Sequence, residues 1–228
     1  MSAMHGTVIS STIPSSGKAD LMPAHAPQTD HEGELLAGYV TQQLLGLKAA
    51  AHGLTDAELR ATPTASSLSI GSLVKHGTRC AISWLDRAAA APAMWPPADD
   101  PTPQQDRISA HFGEFRLTPE DTGDRLRDGL DAVIARVGRD VPSYDLDERV
   151  PVPTDAPWWP RDVQSWTVRW TVLHLIEELA RHAGHADIIR ESIDGATMYE
   201  LLGAVEGWPK SDWFTPWSRD AIRTTEPV

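Results

Sequence analysis

Arg169-Trp-Thr-Val-Leu-His174-Leu-Ile-Glu177-Glu178-Leu-Ala-Arg181-His182-Ala-Gly-His185-Ala-Asp187-Ile-Ile-Arg190-Glu191 is the stretch on which the fold turns. At about 100° per residue, His174, Glu178, His182 and His185 fall at roughly 0°, 40°, 80° and 20° on a helix, one narrow stripe. Val172, Leu175, Leu179, Ala183 and Ala186 run beside it, so the polar stripe borders the surface the helix buries. Residues at i and i+4 sit about 5–6 Å apart at Cβ, close enough to hold one cation from a single rigid element. A lone histidine on a helix is most often a satisfied core or surface group. Three histidines and a glutamate in one stripe cost several kcal/mol to desolvate unless they are paired, which points to a metal site.

One helix cannot close a coordination shell alone. The outside candidate is His76, in Ser69-Ile-Gly-Ser-Leu73-Val-Lys-His76-Gly-Thr-Arg-Cys80-Ala-Ile-Ser-Trp84, where Leu73, His76, Cys80 and Trp84 recur on one helical face. His76 with Glu178 and His182 makes a His/Glu/His set with room for a further ligand, the arrangement of catalytic rather than structural sites. Cys80, one turn from His76, reads as a small buried hydrophobe before a nucleophile.

These two motifs, "SLVKH" and "HLIEELARHAGHADIIRE" followed by "SIDG", resemble the DinB-like superfamily, in its actinobacterial branch of small proteins. The resemblance runs over roughly residues 32–209 and implies an all-α fold, a four-helix bundle with one divalent metal near one end. In that superfamily a histidine of the second helix and a His-x-x-x-His or Glu-x-x-x-His pair hold the ion, which places His76, Glu178 and His182 as the ligands here. The Glu form looks like the mycothiol-dependent maleylpyruvate isomerase relatives. His174 and His185 compete for the same site by register, or stand beside it as proton acceptors.

The chain has 228 residues, 41% of them hydrophobic, enough for one sizeable core. A net charge of −12 argues against nucleic acid, which needs clustered Lys and Arg. A single cysteine excludes an internal disulfide, and no stretch approaches the roughly 20 apolar residues of a membrane span, so a cytoplasmic protein is expected.

Residues 1–31 lack periodicity and read as a disordered tail, 32–209 as the bundle with long loops, and 210–228 as a Trp-containing extension. A first helix is expected from Glu32 towards Gly53, and a capping box at Thr55–Glu58. The His76 helix should end at Pro92, a third long helix should run from Thr118 to Gly138, and the last from about Ser165 to Ile193. Pro96 to Pro103 is unsuited to a helix interior, and the Pro-rich 141–161 excursion has room for a short β-pair. A short helix follows over Tyr199 to Val205. Trp158, Trp159, Trp166 and Trp170 precede or open the ligand helix. They serve core packing first, and any that line a pocket favour a flat or apolar substrate, with Trp170, Arg181 and Arg190 as candidates to meet a thiol cofactor, and Arg169 as a further cation. Each arginine has the alternative of a surface ion pair.

The resemblance implies transfer or isomerisation with a low-molecular-weight thiol of the mycothiol type and a small electrophile, in a monomer or homodimer. A small metallohydrolase using water, or a metal-bearing binding or stress-response protein without turnover, uses the same ligands. Zn²⁺ leads, with Ni²⁺, Co²⁺ and Fe²⁺ compatible with mixed His/carboxylate donors.

Overall fold

The computed structural model describes residues 25–97, 99–153 and 158–222. The tail expected over 1–31 lies outside them up to residue 24. Four long helices form the body: α1 (Glu32–Ala50), α3 (Ile70–Ala90), α5 (Gly123–Asp140) and α6 (Val168–Asp194). α1 and α3 each pack against both α5 and α6, which closes a four-helix bundle and agrees with the all-α expectation. α2 (Asp56–Arg60) and α4 (Gln104–Gly113) lie in the connections, and α7 (Met198–Glu206) and α8 (Arg219–Ile222) follow the bundle.

In the main core cluster each long helix contributes a stripe: Val40, Leu44 and Leu47 from α1, Ile70, Leu73 and Leu85 from α3, Leu130, Val133 and Val137 from α5, and Val172, Leu175, Leu179 and Ile189 from α6, while Ala49, Ala196, Leu201 and Leu202 form a smaller second one. The ends of the helices are set by side chains that satisfy free backbone groups. Thr55 and Glu58 form the expected capping box, Ser69 and Ser72 a second one ahead of α3. α6 stops where Gly195 takes φ 76°, a conformation only glycine adopts without strain.

Two expectations are corrected. α6 begins at Val168 and not Ser165, because Ser165–Thr167 is a strand, β2, and Thr167 caps the helix by accepting from the Trp170 backbone N–H at 3.1 Å. Its antiparallel partner β1 is Arg149–Pro151, with Val150 opposite Trp166, so only one strand of the pair falls in the 141–161 excursion. α5 begins at Gly123 and not Thr118. Asp121 instead binds the Thr118 backbone N–H at 2.7 Å and Lys75 at 2.8 Å, and Arg60 donates to the carbonyls of Thr118 and Asp121, both at 2.8 Å. α4 follows the proline segment, in a stretch for which no element was expected.

Candidate metal centre and its cavity

α3 and α6 face each other across the bundle and bring their polar stripes together. His76 is 3% exposed. On α6, Glu178 lies one turn from His182, and its Oε1 stands 3.2 Å from His182 Nε2 and 3.6 Å from His76 Nε2. The His76 and His182 rings are 4.7 Å apart, nearly perpendicular. Glu178 is thus bracketed by two imidazoles from different helices. The imidazole of His182, hydrogen-bonded to it, and then that of His76 hold its carboxyl far below the usual carboxylate range, despite burial. At His76 burial opposes the charge, but the carboxylates of Glu114 and Glu178 prevail and raise its pKa. Burial, with Glu178 and Glu114 nearby, pushes the Cys80 thiol well up and keeps it protonated.

The test of a metal site is whether these donors leave a gap that a cation fills. His76 Nε2 is buried and makes no hydrogen bond, an orphaned polar atom aimed at Glu178 and His182. Among the described residues, ligand atoms of His76, Cys80 and Glu178 also lie within 4.8 Å of one another. Two imidazoles and a carboxylate, with a thiol in reach, are the mixed donors that a borderline divalent cation takes. The residues fit.

While His182 stands behind Glu178 and outside the lining, His76 and Glu178, with Cys80, open into a cavity of 520 Å³. Its floor carries His76, Cys80 and Glu178, one wall Trp84, Trp159 and His174, and the other Ile108, Ala110, His111 and Glu114 of α4 and its end. His174 stacks on Trp170 at 5.1 Å and meets Trp84 edge-on at 4.8 Å. Its Nδ1 is 3.5 Å from Glu177. Trp158 stacks on His111 at 5.1 Å.

The other residues expected at the site are placed elsewhere. His185 is half-buried and is not part of the cavity lining, since the stripe it shares with Glu178 continues past the end of the cavity. Arg181 is exposed and likewise outside the lining. Arg190 is fully buried, donates to the carbonyls of Ala50 and His52 at 2.7 Å each, and pairs with Asp194 at 3.0 Å, so it ties α6 to the end of α1. Arg169 pairs with Glu32 at 2.7 Å and with Asp147, as a surface cation does. Trp170 stacks between Trp166 and His174 behind the cavity wall and is not in its lining. Glu114, Phe115 and His111 were not expected. Ile108, Phe112 and Phe115 recur at helical spacing and mark a short amphipathic stretch, but nothing in the sequence ties that stretch to His76.

A helical bundle whose two central helices meet in a His/carboxylate cluster, at the floor of an aromatic cavity, defines a class of small proteins competent to hold one cation and a small organic ligand. The family model described as mycothiol-S-transferase matches residues 35–195, and the chain belongs to that family. This agrees with the DinB-like resemblance of its two motifs. No curated protein matches the chain. Among solved structures it is similar to the crystal structure of a conserved protein from Enterococcus faecalis, with 16% identity, 75% of this chain and 100% of that chain covered, and a TM-score of 0.47. Among the described residues no helix is long and apolar enough to cross a membrane.

Proposed function

We propose that the protein is a metal-dependent transferase that joins mycothiol to a small electrophile, with a divalent cation, Zn²⁺ first among those considered, held by His76, Glu178 and His182. The observation that carries this is Glu178 bracketed by two imidazoles on the floor of a cavity large enough for small organic ligands, in a chain of the mycothiol S-transferase family. When bound, such a cation supplies a positive charge that stabilises a thiolate over a thiol at neutral pH.

The chain's own residues do the rest. His174, in the wall, is held in one plane by its stack on Trp170 and accepts the proton the thiol gives up. The thiolate sulfur then forms a bond to the electrophilic carbon, and the leaving group departs with the electron pair. Where the electrophile is an activated alkene, the C–S bond forms as the C=C π bond breaks, and the carbanion left on the neighbouring carbon takes the proton back from His174. Trp84, Trp158 and Trp159 pack the flat or apolar body of the electrophile and keep water from the reacting atoms.

The experiment is to incubate protein purified without a histidine tag with mycothiol and a test electrophile, before and after chelation and re-addition of Zn²⁺. Conjugation that is lost on chelation and restored by the metal is expected. A fully metal-loaded protein inert with mycothiol would overturn the assignment.

A further inference from the structure

Metal ligation by histidine depends on which ring nitrogen carries the proton, and that is set by what the other nitrogen bonds. His76 Nδ1 lies 3.1 Å from Glu114 Oε2. A carboxylate is an acceptor only, so the bond requires the proton on Nδ1. Nε2 of the neutral ring is then a lone pair, and it is this atom that is buried without a partner and aimed at Glu178 and His182.

Glu114 is itself held in place. It forms the C-terminal cap of α4, its backbone N–H bonded to the carbonyl of Ala110 at 3.1 Å. The next residue, Phe115, stacks on the face of the His76 ring at 4.0 Å and 24°. Two residues on, the carbonyl of Arg116 accepts from Lys75 Nζ at 2.8 Å, and Lys75 is the neighbour of His76 on α3. One short segment therefore grips the imidazole by its edge and by its face, and is tied to the same turn of helix. Glu114 is 18% exposed, and the nitrogen it bonds is not the one that faces Glu178, so it does not share the site of Glu178.

We propose that Glu114 is the positioning residue of the centre: it accepts the Nδ1–H of His76, locks the ring in that tautomer and aims the Nε2 lone pair at the Glu178–His182 pair. The inference rests on the metal site proposed above. It assigns to α4, which builds one wall of the cavity, a second task in organising the floor.

The test has two independent readouts. In metal-free protein, at a pH high enough to leave the ring neutral, the ¹⁵N shifts of His76 should show a protonated Nδ1 and a bare Nε2, with the Nδ1 proton strongly deshielded by the carboxylate. Glu114→Ala should lose this preference and weaken Zn²⁺ binding, measured by chelator competition, by about 10–100-fold, the usual effect of removing such a partner. In Glu114→Gln the amide oxygen still accepts, so the tautomer should persist, with the Nδ1 proton moved upfield and an intermediate affinity. A wild-type His76 protonated on Nε2, or an Ala variant with unchanged tautomer and affinity, overturns the proposal. Should the Ala variant fail to fold, an unmoved Nδ1 proton in the Gln variant does so. If wild type takes up no Zn²⁺, the metal assignment falls, while the tautomer still decides the role of Glu114.

Discussion

Glu178 is the residue at which charge, burial and position converge. Its carboxylate answers to two imidazoles, so Glu178→Gln removes the charge and keeps the shape. We expect this variant to lose cation affinity by about tenfold or more and to lose thiol conjugation, with its helical circular dichroism unchanged, because Gln and Glu have similar helix propensity. Full metal occupancy with unchanged turnover would remove Glu178 from the site. Glu178 could be found in the sequence because it shares a stripe with His174 and His182 on a helix of strong pattern. Glu114 could not, because its partner is 38 residues away and only the folded chain brings them together. A second carboxylate, Glu58, gives a pH dependence. The Arg219 guanidinium, foremost, and the Thr55 cap hold its pKa at about 2 against an ordinary 4.5. A depressed carboxyl pKa stabilises the fold fully above the ordinary value and loses that contribution as pH falls through the folded one. Wild type should therefore lose stability between pH 4.5 and about 2, and Arg219→Ala should flatten this part of the curve. Denaturant midpoints measured across that range check it, and parallel curves would show that the pair contributes nothing.

Among the elements, α6 and α4 are opposites. α6 contributes Val172, Leu175, Leu179 and Ile189 to the core, and Leu179→Ala should cost about 2–5 kcal/mol in denaturant unfolding, since it leaves a cavity between α6 and the other helices. None of the residues of α4 is buried, although it walls the cavity. Its amides should exchange with solvent well before those of α1 or α6, because few apolar contacts oppose local opening. Hydrogen-exchange mass spectrometry reads this directly, and protection of 104–113 equal to that of α6 would refute it. The same contrast explains what could be read in advance. α1, α3, α5 and α6 announce themselves by long stripes of apolar residues, whereas α4 has only Ile108 and Phe112 at helical spacing, directly behind a run of prolines. β2 is three residues long, too short for alternation to show, and its Thr167 is both the last strand residue and the cap of α6.

At the scale of the whole molecule, Arg190 joins parts that the bundle alone would leave independent. It reaches the carbonyls at the end of α1, Asp194 at the end of α6, and the Trp217 ring at 4.8 Å, with Trp217 in turn donating to Asp194 at 3.2 Å. Removing one partner of a buried ion pair leaves the other uncompensated, so Arg190→Ala should destabilise the protein by about 3–5 kcal/mol and loosen the segment around Trp217, while the remote metal centre keeps its affinity in the folded fraction. The tryptophans at the other side of the cluster have a consequence of a different kind. Trp84 lies within 5.6–6.1 Å of Trp159, Trp166 and Trp170, Trp166 stacks on Trp170 at 4.7 Å, and Trp158 adjoins Trp159 at 6.2 Å. Rings this close exchange excitation faster than they emit, so the group behaves as a single chromophore whose light any quencher in the cavity can extinguish. The protein thus carries its own optical gauge of the site: Co²⁺ or a nitroaromatic electrophile entering it should dim the emission of the whole group together, and ligand entry becomes measurable without a label.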